Sequence, residues 1–325
     1  MPIVEPFFEP LKGLHHVTAI AGDPAQNYQF YSGVLGLRLV KQSVNQDDPS
    51  IYHLFYGDAI GTPGTVLTFF AGSNQRKGHP GHGQATEVAL SIPSRSLSYW
   101  KDRLQKAGFS PQELSSWAGE KGLHVQDPDG LSLLLVAGRR TGQRKEWKYW
   151  EHSPVPEEYA IRGLHSVTLT EKSTEPTFSF LTGVLAFQKV VHRSNRIRLS
   201  PGGNRPGSLL DLHIDPEAPR SYYGTGTIHH VAWRTSDETT QRYWQQEIAR
   251  TGIHVSPPID RFWFKSIYFH EPGGVLFEIA TERPGFTRDE PIEHLGEHLS
   301  LPPWLEPQRE EIEEKLPPFN PKFLD

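Results

Sequence analysis

The chain has 325 residues, no cysteine and a formal net charge of −5. That balance offers no basic field to nucleic acid, and the missing cysteines exclude disulfides and thiolate-held metals, so a bound metal must take nitrogen and oxygen ligands. The opening residues MPIVEPFFEP lack the basic flank and apolar core of a signal peptide. No apolar run reaches the ~18 residues of a membrane span, and the expected setting is cytoplasmic.

Internal repetition organises the predicted elements. Leu14-His15-His16-Val17-Thr18 recurs as Leu164-His165-Ser166-Val167-Thr168, and the same offset carries Phe30-Tyr31-Ser32-Gly33-Val34-Leu35 onto Phe180-Leu181-Thr182-Gly183-Val184-Leu185. Between these lie two further related stretches, Ser98-Tyr99-Trp100 with Arg242-Tyr243-Trp244, and Pro128-Asp129-Gly130 with Pro272-Gly273-Gly274. The chain therefore reads as four related units of about 50 to 60 residues.

In chain order, each unit opens with a short apolar strand, over 14–20, 87–92, 164–169 and 228–233. An amphipathic helix follows, as over 96–107, where Leu97, Trp100, Leu104 and Ala107 fall at helical spacing. A glycine ends it, Gly108 or Gly252, where a left-handed cap is needed. Three more strands complete the unit, the last over 65–70, 131–136, 208–214 and 275–280.

The fold class is α+β. Four βαβββ modules, each too small to close a barrel, are expected to pair into two curved, half-open eight-stranded sheets. Residues 1–138 hold an N-terminal pair of modules, 139–158 a polar linker, and 159–283 a C-terminal pair. The remaining residues, 284–325, form a tail whose short helix near 307–316 carries Leu305, Ile312 and Leu316 on one side, which predicts a packing arm.

The repeat also singles out a ligand set. The second residue of each opening pair is His16, Glu87, Ser166 and His230. Four residues beyond the turn glycine of the last strand stand Thr68, Leu134, Asp211 and Glu278. Units one and four supply His16, His230 and Glu278, with Thr68 at the fourth corner; units two and three supply no credible metal set.

Glu278 interrupts an apolar strand, and a buried carboxylate needs a partner. Two imidazoles and a carboxylate with open positions suit Fe(II) and oxygen chemistry; Mn(II) fits as well, and zinc takes the same ligands in hydrolases. Neighbouring residues on a strand face opposite ways, so one histidine of each pair is the ligand, and the pattern alone does not choose between His15 and His16 or between His229 and His230.

Taken together, Gly13-Leu14-His15-His16-Val17-Thr18, Ile51-Tyr52-His53-Leu54, Gly61-Thr62-Pro63-Gly64-Thr65, Ile228-His229-His230, Pro272-Gly273-Gly274-Val275-Leu276-Phe277-Glu278 and Gly285-Phe286-Thr287 make a specific pattern. The chain resembles the vicinal oxygen chelate superfamily, and within it the two-domain ring-cleaving dioxygenases that act on hydroquinones.

The resemblance implies Fe(II) on His16, His230 and Glu278, and a supporting set at His15, Thr18, Arg261 and Tyr268. It implies O2 and a small aromatic as substrates, no nucleic-acid or membrane partner, and room for a homo-oligomer. Tyr268 and Arg261 would then hydrogen-bond a substrate oxygen or stabilise developing negative charge. Phe262, Trp263 and Phe264 are candidates to wall an aromatic pocket; His53 is a strand histidine without a derived role; His79 and His82 read as solvated turn residues.

Two other functions are carried as alternatives. A glyoxalase-like isomerase or lyase would need a base where Thr68 stands. A non-catalytic small-molecule binder would need no metal.

Overall fold

The four units fold alike because each repeats one economy of burial: a central strand hidden on both faces, a helix over one face and a hairpin extending the edge. The computed structural model describes residues 9–72, 76–115, 117–138 and 146–321. Unit one comprises β1 (Leu14–Ala21), α1 (Pro24–Tyr28), β2 (Arg38–Asn45), β3 (Asp48–Gly57) and β4 (Val66–Ala71). Unit two comprises β5 (Gln84–Pro93), α2 (Leu97–Lys106), β6 (Gln112–Ser115), β7 (Lys121–Gln126) and β8 (Ser132–Gly138). Unit three has β9 (Leu164–Glu171), α3 (Thr177–Gly183), β10 (Gln188–Arg193), β11 (Arg196–Ser200) and β12 (Leu209–Ile214). Unit four has β13 (Ile228–Thr235), α4 (Glu238–Ala249), β14 (Ile259–Asp260), β15 (Lys265–His270) and β16 (Leu276–Thr281), and α5 (Arg309–Lys315) lies in the tail.

The helices form where expected and bury the predicted stripe. Trp100 and Leu104 of α2, and Trp244 and Ile248 of α4, sit four residues apart on the covered face, and such side chains each contribute roughly 1.5–3 kcal/mol by leaving water. Ala107, expected on this stripe, is instead the exposed C-cap of α2. Gly108 and Gly252 follow with φ of 89° and 86°, left-handed values that a Cβ would penalise.

Two curved eight-stranded sheets result, ordered β14-β15-β16-β13-β1-β4-β3-β2 and β10-β11-β12-β9-β5-β8-β7-β6. Within a unit the first and last strands pair in parallel, as β1 with β4 and β13 with β16, a geometry that the intervening helix and hairpin make reachable. Between units the opening strands pair antiparallel, β1 with β13 and β5 with β9.

Each sheet thus takes one unit from either side of 139–158, which differs from the expected N-terminal pair over 1–138 and C-terminal pair over 159–283. The cause lies in the connections. The loops joining units one to two and three to four bridge each other at Lys77 with Thr225, His79 with Tyr222 and His82 with Arg220, and each carries the chain from one sheet to the other.

The linker is no free spacer either. Residues 139–145 lie outside the described residues; beyond them Lys148 donates to Asp58 and its carbonyl accepts from Ala59, while Trp147 stacks under Arg162 and bonds Ile161. Leu305, Ile312 and Leu316 of the tail join the main core, as their spacing predicted. No helix among the described residues is long and apolar enough to cross a membrane.

Candidate metal centre and pocket

The seam between β1 and β13 places His16 and His230 side by side, and the parallel pairing of β13 with β16 sets Glu278 opposite Ala232, two residues on from His230. Their ligand atoms converge. His16 Nε2 lies 3.3 Å from His230 Nε2, and Glu278 Oε2 lies 3.3 Å from the first and 3.0 Å from the second. All three side chains are buried, Glu278 completely. Among the described residues this is the one cluster with ligand atoms close enough for a metal.

The hydrogen bonds around the cluster fix which atoms are free. His15 Nε2 is 3.1 Å from the Thr281 carbonyl; a carbonyl only accepts, so this nitrogen carries the proton. Burial lowers the His15 pKa to about 3, which keeps the ring neutral and leaves its Nδ1 as an acceptor. His16 Nδ1, 2.9 Å away, must then donate, and His16 Nε2 presents a lone pair to the cluster. His230 Nδ1 meets His229 Nδ1 at 2.8 Å; burial lowers the His229 pKa to about 3 and keeps that ring neutral, so His230 Nε2 presents a lone pair when His229 Nδ1 is the acceptor. Glu278 Oε1 accepts from Ser266.

Glu278 Oε2 is the exception. It is buried yet accepts no well-formed hydrogen bond, although it points between two imidazole nitrogens. Burial alone would raise the pKa of Glu278; positive charge at the His16 and His230 positions, a role that a bound cation would take over once the two rings present lone pairs, outweighs burial and holds the carboxylate ionised. Two imidazole nitrogens and a carboxylate oxygen aimed at one point suit a divalent cation, and imidazoles oriented by bonds from their other nitrogen are the usual support of such a site.

Thr68, at the fourth corner, is fully buried and already engaged: its hydroxyl lies 2.8 Å from that of Thr18 and 2.9 Å from His53 Nε2. His15 thus reaches the cluster directly, through His16, whereas Thr18 reaches only Thr68. His53 gains a place here, since it lines the cavity above the cluster and its ring packs on Phe55 and Phe70 at 3.9 and 4.5 Å. Burial holds its pKa well below the ordinary value.

That cavity measures about 390 Å³, with Phe55, Phe70, Trp263, Phe264 and Leu276 among its walls. Tyr268 and Arg261 line it too. Arg261 donates to the Tyr268 hydroxyl at 3.2 Å and clasps both carboxylate oxygens of Asp47 at 3.2 and 2.9 Å. Burial raises the Tyr268 pKa, with the charge of Glu278 adding to it, so the phenol keeps its proton. Burial opposes the charge on Arg261, but Tyr268 and Asp47 outweigh it.

Phe262, expected beside Trp263 and Phe264, faces away from this cavity. His79 and His82 stay in the crossing loop, away from the cluster. The sequence reading missed Asn45, Gln46 and Asp47, which reach the pocket from the end of β2 and the turn after it; nothing in their spacing marks them.

The other sheet has the same architecture but, among the described residues, no comparable ligand cluster. Asp211, at the position of Glu278, holds Arg198 through two bonds of 2.7 and 2.8 Å. Arg198 also reaches Glu120 at 2.8 Å, and Glu120 in turn meets His165. A guanidinium occupies the centre of the cup.

Known proteins share this plan. The Bacillus subtilis (strain 168) protein MhqO, described as a candidate ring-cleaving dioxygenase, is 41% identical over 96% of this chain and 98% of its own length. A chlorohydroquinone/hydroquinone 1,2-dioxygenase of Sphingobium indicum is 33% identical over 94% of this chain and 95% of its own. A crystal structure of a candidate dioxygenase from Bacillus subtilis superposes with a TM-score of 0.90 at 39% identity, covering 98% of this chain and 100% of that one. Glyoxalase I from Zea mays shares the fold at a TM-score of 0.61 and 16% identity, over 88% of this chain and 97% of its own. The sequence pattern shared by one superfamily matches residues 13–135 and 163–279, and the chain belongs to that family, the Glyoxalase/Bleomycin resistance protein/Dioxygenase superfamily.

Proposed function

We propose that the protein is a ring-cleaving dioxygenase for hydroquinone-like aromatics, with Fe(II) as its metal and Mn(II) as the closest substitute. The observation that carries this reading is the convergence of His16 Nε2, His230 Nε2 and the unpartnered Glu278 Oε2 at one wall of an aromatic-lined cavity. Three protein ligands of this type leave positions open for exogenous groups. The metal, when bound, supplies Lewis acidity toward a ring hydroxyl and an electron path between the ring and O2. The net reaction adds both atoms of O2 and breaks a ring C–C bond beside a hydroxylated carbon.

The chain's own residues do the rest. Phe55, Phe70 and Phe264 exclude water and hold an aromatic ring by its faces. The protonated Tyr268 hydroxyl and the Arg261 guanidinium, bonded together, offer donors toward negative charge that develops on substrate oxygen. An isomerase would need a base at the fourth corner, and Thr68 stands there as an alcohol already bonded to Thr18 and His53.

The test is anaerobic reconstitution with Fe(II), then oxygen uptake with 2-methylhydroquinone and with catechol. Wild type is expected to consume oxygen with the hydroquinone and Glu278→Ala to lose at least a hundredfold in rate. A wild-type protein that binds iron and consumes no oxygen with either compound would overturn the reading.

A further inference from the structure

Phe262 has φ of 74°, left-handed backbone at a bulky aromatic residue. Such a conformation persists only where the surroundings over-determine it, and it concentrates at functional sites. Its effect on the pocket is direct. In an extended strand Trp263 and Phe264 would face opposite ways, but the turn at Phe262, closed by the Arg261 N–H bond to the Phe264 carbonyl, brings Arg261, Trp263 and Phe264 all onto the cavity.

What holds this turn is the tail. Gly285 donates its N–H to the Trp263 carbonyl at 2.8 Å. Arg288 donates to the Phe262 carbonyl at 2.7 Å and lays its guanidinium 4.3 Å from the centre of the Phe262 ring. Asp289 accepts from the Trp263 indole at 2.9 Å and, with Glu290, pairs with the fully buried Lys41. Two consecutive turn residues, Phe262 and Trp263, are thus tied to three residues of the tail, Gly285, Arg288 and Asp289.

We propose that the segment 285–290 is a positioning clamp for the substrate pocket, with Arg288 as its key residue: it keeps Phe262 in the left-handed conformation and so aims Arg261 and Phe264 at the bound ring. The proposal rests on the ring-cleaving reading for its substrate. Arg288 itself is exposed, so its loss leaves the core intact.

The experiment is a double-mutant cycle of Arg288→Ala and Phe262→Gly, with Arg288→Met as a second form that keeps the stem but removes the donor. For each variant, 2-methylhydroquinone binding to the Fe(II) protein is measured anaerobically, alongside kcat, KM and amide exchange over residues 261–264 in the substrate-free protein. Arg288→Ala is expected to weaken binding and lower kcat/KM by about ten- to a hundredfold, the scale of small misplacements, to speed exchange over 261–264, and to leave iron affinity unchanged. Glycine adopts a left-handed φ freely, so adding Phe262→Gly should cost much less in the Arg288→Ala background than alone. Losses that simply multiply, or unchanged exchange in Arg288→Ala, would overturn the clamp. The exchange arm needs no substrate, so it judges the clamp even if wild type fails to consume oxygen, an outcome that would instead sink the ring-cleaving reading.

Discussion

At the scale of single residues, the cluster is a problem in proton placement before it is one in metal binding. His16 can offer Nε2 because its Nδ1–H is taken by His15, whose own proton is taken by the Thr281 carbonyl. Replacing His15 with phenylalanine preserves a ring beside Phe264, its neighbour at 5.1 Å, but removes the acceptor that selects the tautomer. Metal affinity should fall by about 10- to 100-fold, the usual cost of losing such a partner, as read by anaerobic titration with Fe(II) or Mn(II). Unchanged affinity would show that His16 is oriented by packing alone.

The His16, His230 and Glu278 set could be read from the sequence because the repeat supplies its own comparison: units two and three fill the same positions with Glu87, Ser166, Leu134 and Asp211. The repeat alone could not choose His16 over His15, and only the family resemblance implied it. The choice depends on which face of β1 meets the cup, and that is fixed by pairing with β13, more than two hundred residues away.

At the scale of elements, the strands and helices were legible from apolar runs and helical spacing, while the hairpins were legible only as strands. The turn between β2 and β3 shows why. Asp47 is largely exposed and carries no periodic signal, yet it spans the two units that share the cup to clasp Arg261, while Gln46 donates to the Arg261 carbonyl at 3.1 Å. Phe262 is equally silent, because phenylalanine, unlike glycine, asparagine or aspartate, gives no signal of left-handed backbone.

The ion pair of Asp47 with Arg261 links two hairpins rather than stabilising the core. Asp47 is largely exposed, so solvent screens the pair and limits its contribution to about 1 kcal/mol; with Tyr268 still bonded to Arg261, Asp47→Ala should move the melting temperature little. It should nonetheless raise KM for 2-methylhydroquinone several-fold, since Arg261 loses the partner that fixes its orientation beside Tyr268. Steady-state kinetics with a parallel thermal melt separates the two. A large drop in melting temperature with unchanged KM would mean that the turn is structural.

At the scale of the whole molecule, the two sheets divide their roles. One keeps an open cup with a convergent donor set; the other fills its cup with Arg198 and becomes scaffold. The sheets meet along their opening strands, and there the fold tolerates an unfavourable pair. Glu171, at the end of β9, lies against the turn carrying Gly273, so close that a Cβ at Gly273 would fall 2.5 Å from Glu171 Oε1. Glu271, in the same turn, accepts from Gly273, Val275 and Thr177, bonds that offset only part of the burial that raises its own pKa. Glu171 Oε1 has no hydrogen-bond partner, and burial, with the charge of Glu271 adding to it, pushes the Glu171 pKa up to about 8.

A carboxyl whose pKa is raised on folding binds more protons in the native state than in the unfolded chain between its ordinary value near 4.5 and about 8. The stability it lends is complete below the first and is lost as pH climbs to the second. Glu171→Gln keeps the neutral form at every pH. Its melting temperature should match wild type near pH 4.5 and exceed it increasingly toward pH 8, in melts run across that window. A gap that is the same at both ends would place the effect in packing rather than in the proton, and would leave the seam between the sheets without its pH dependence.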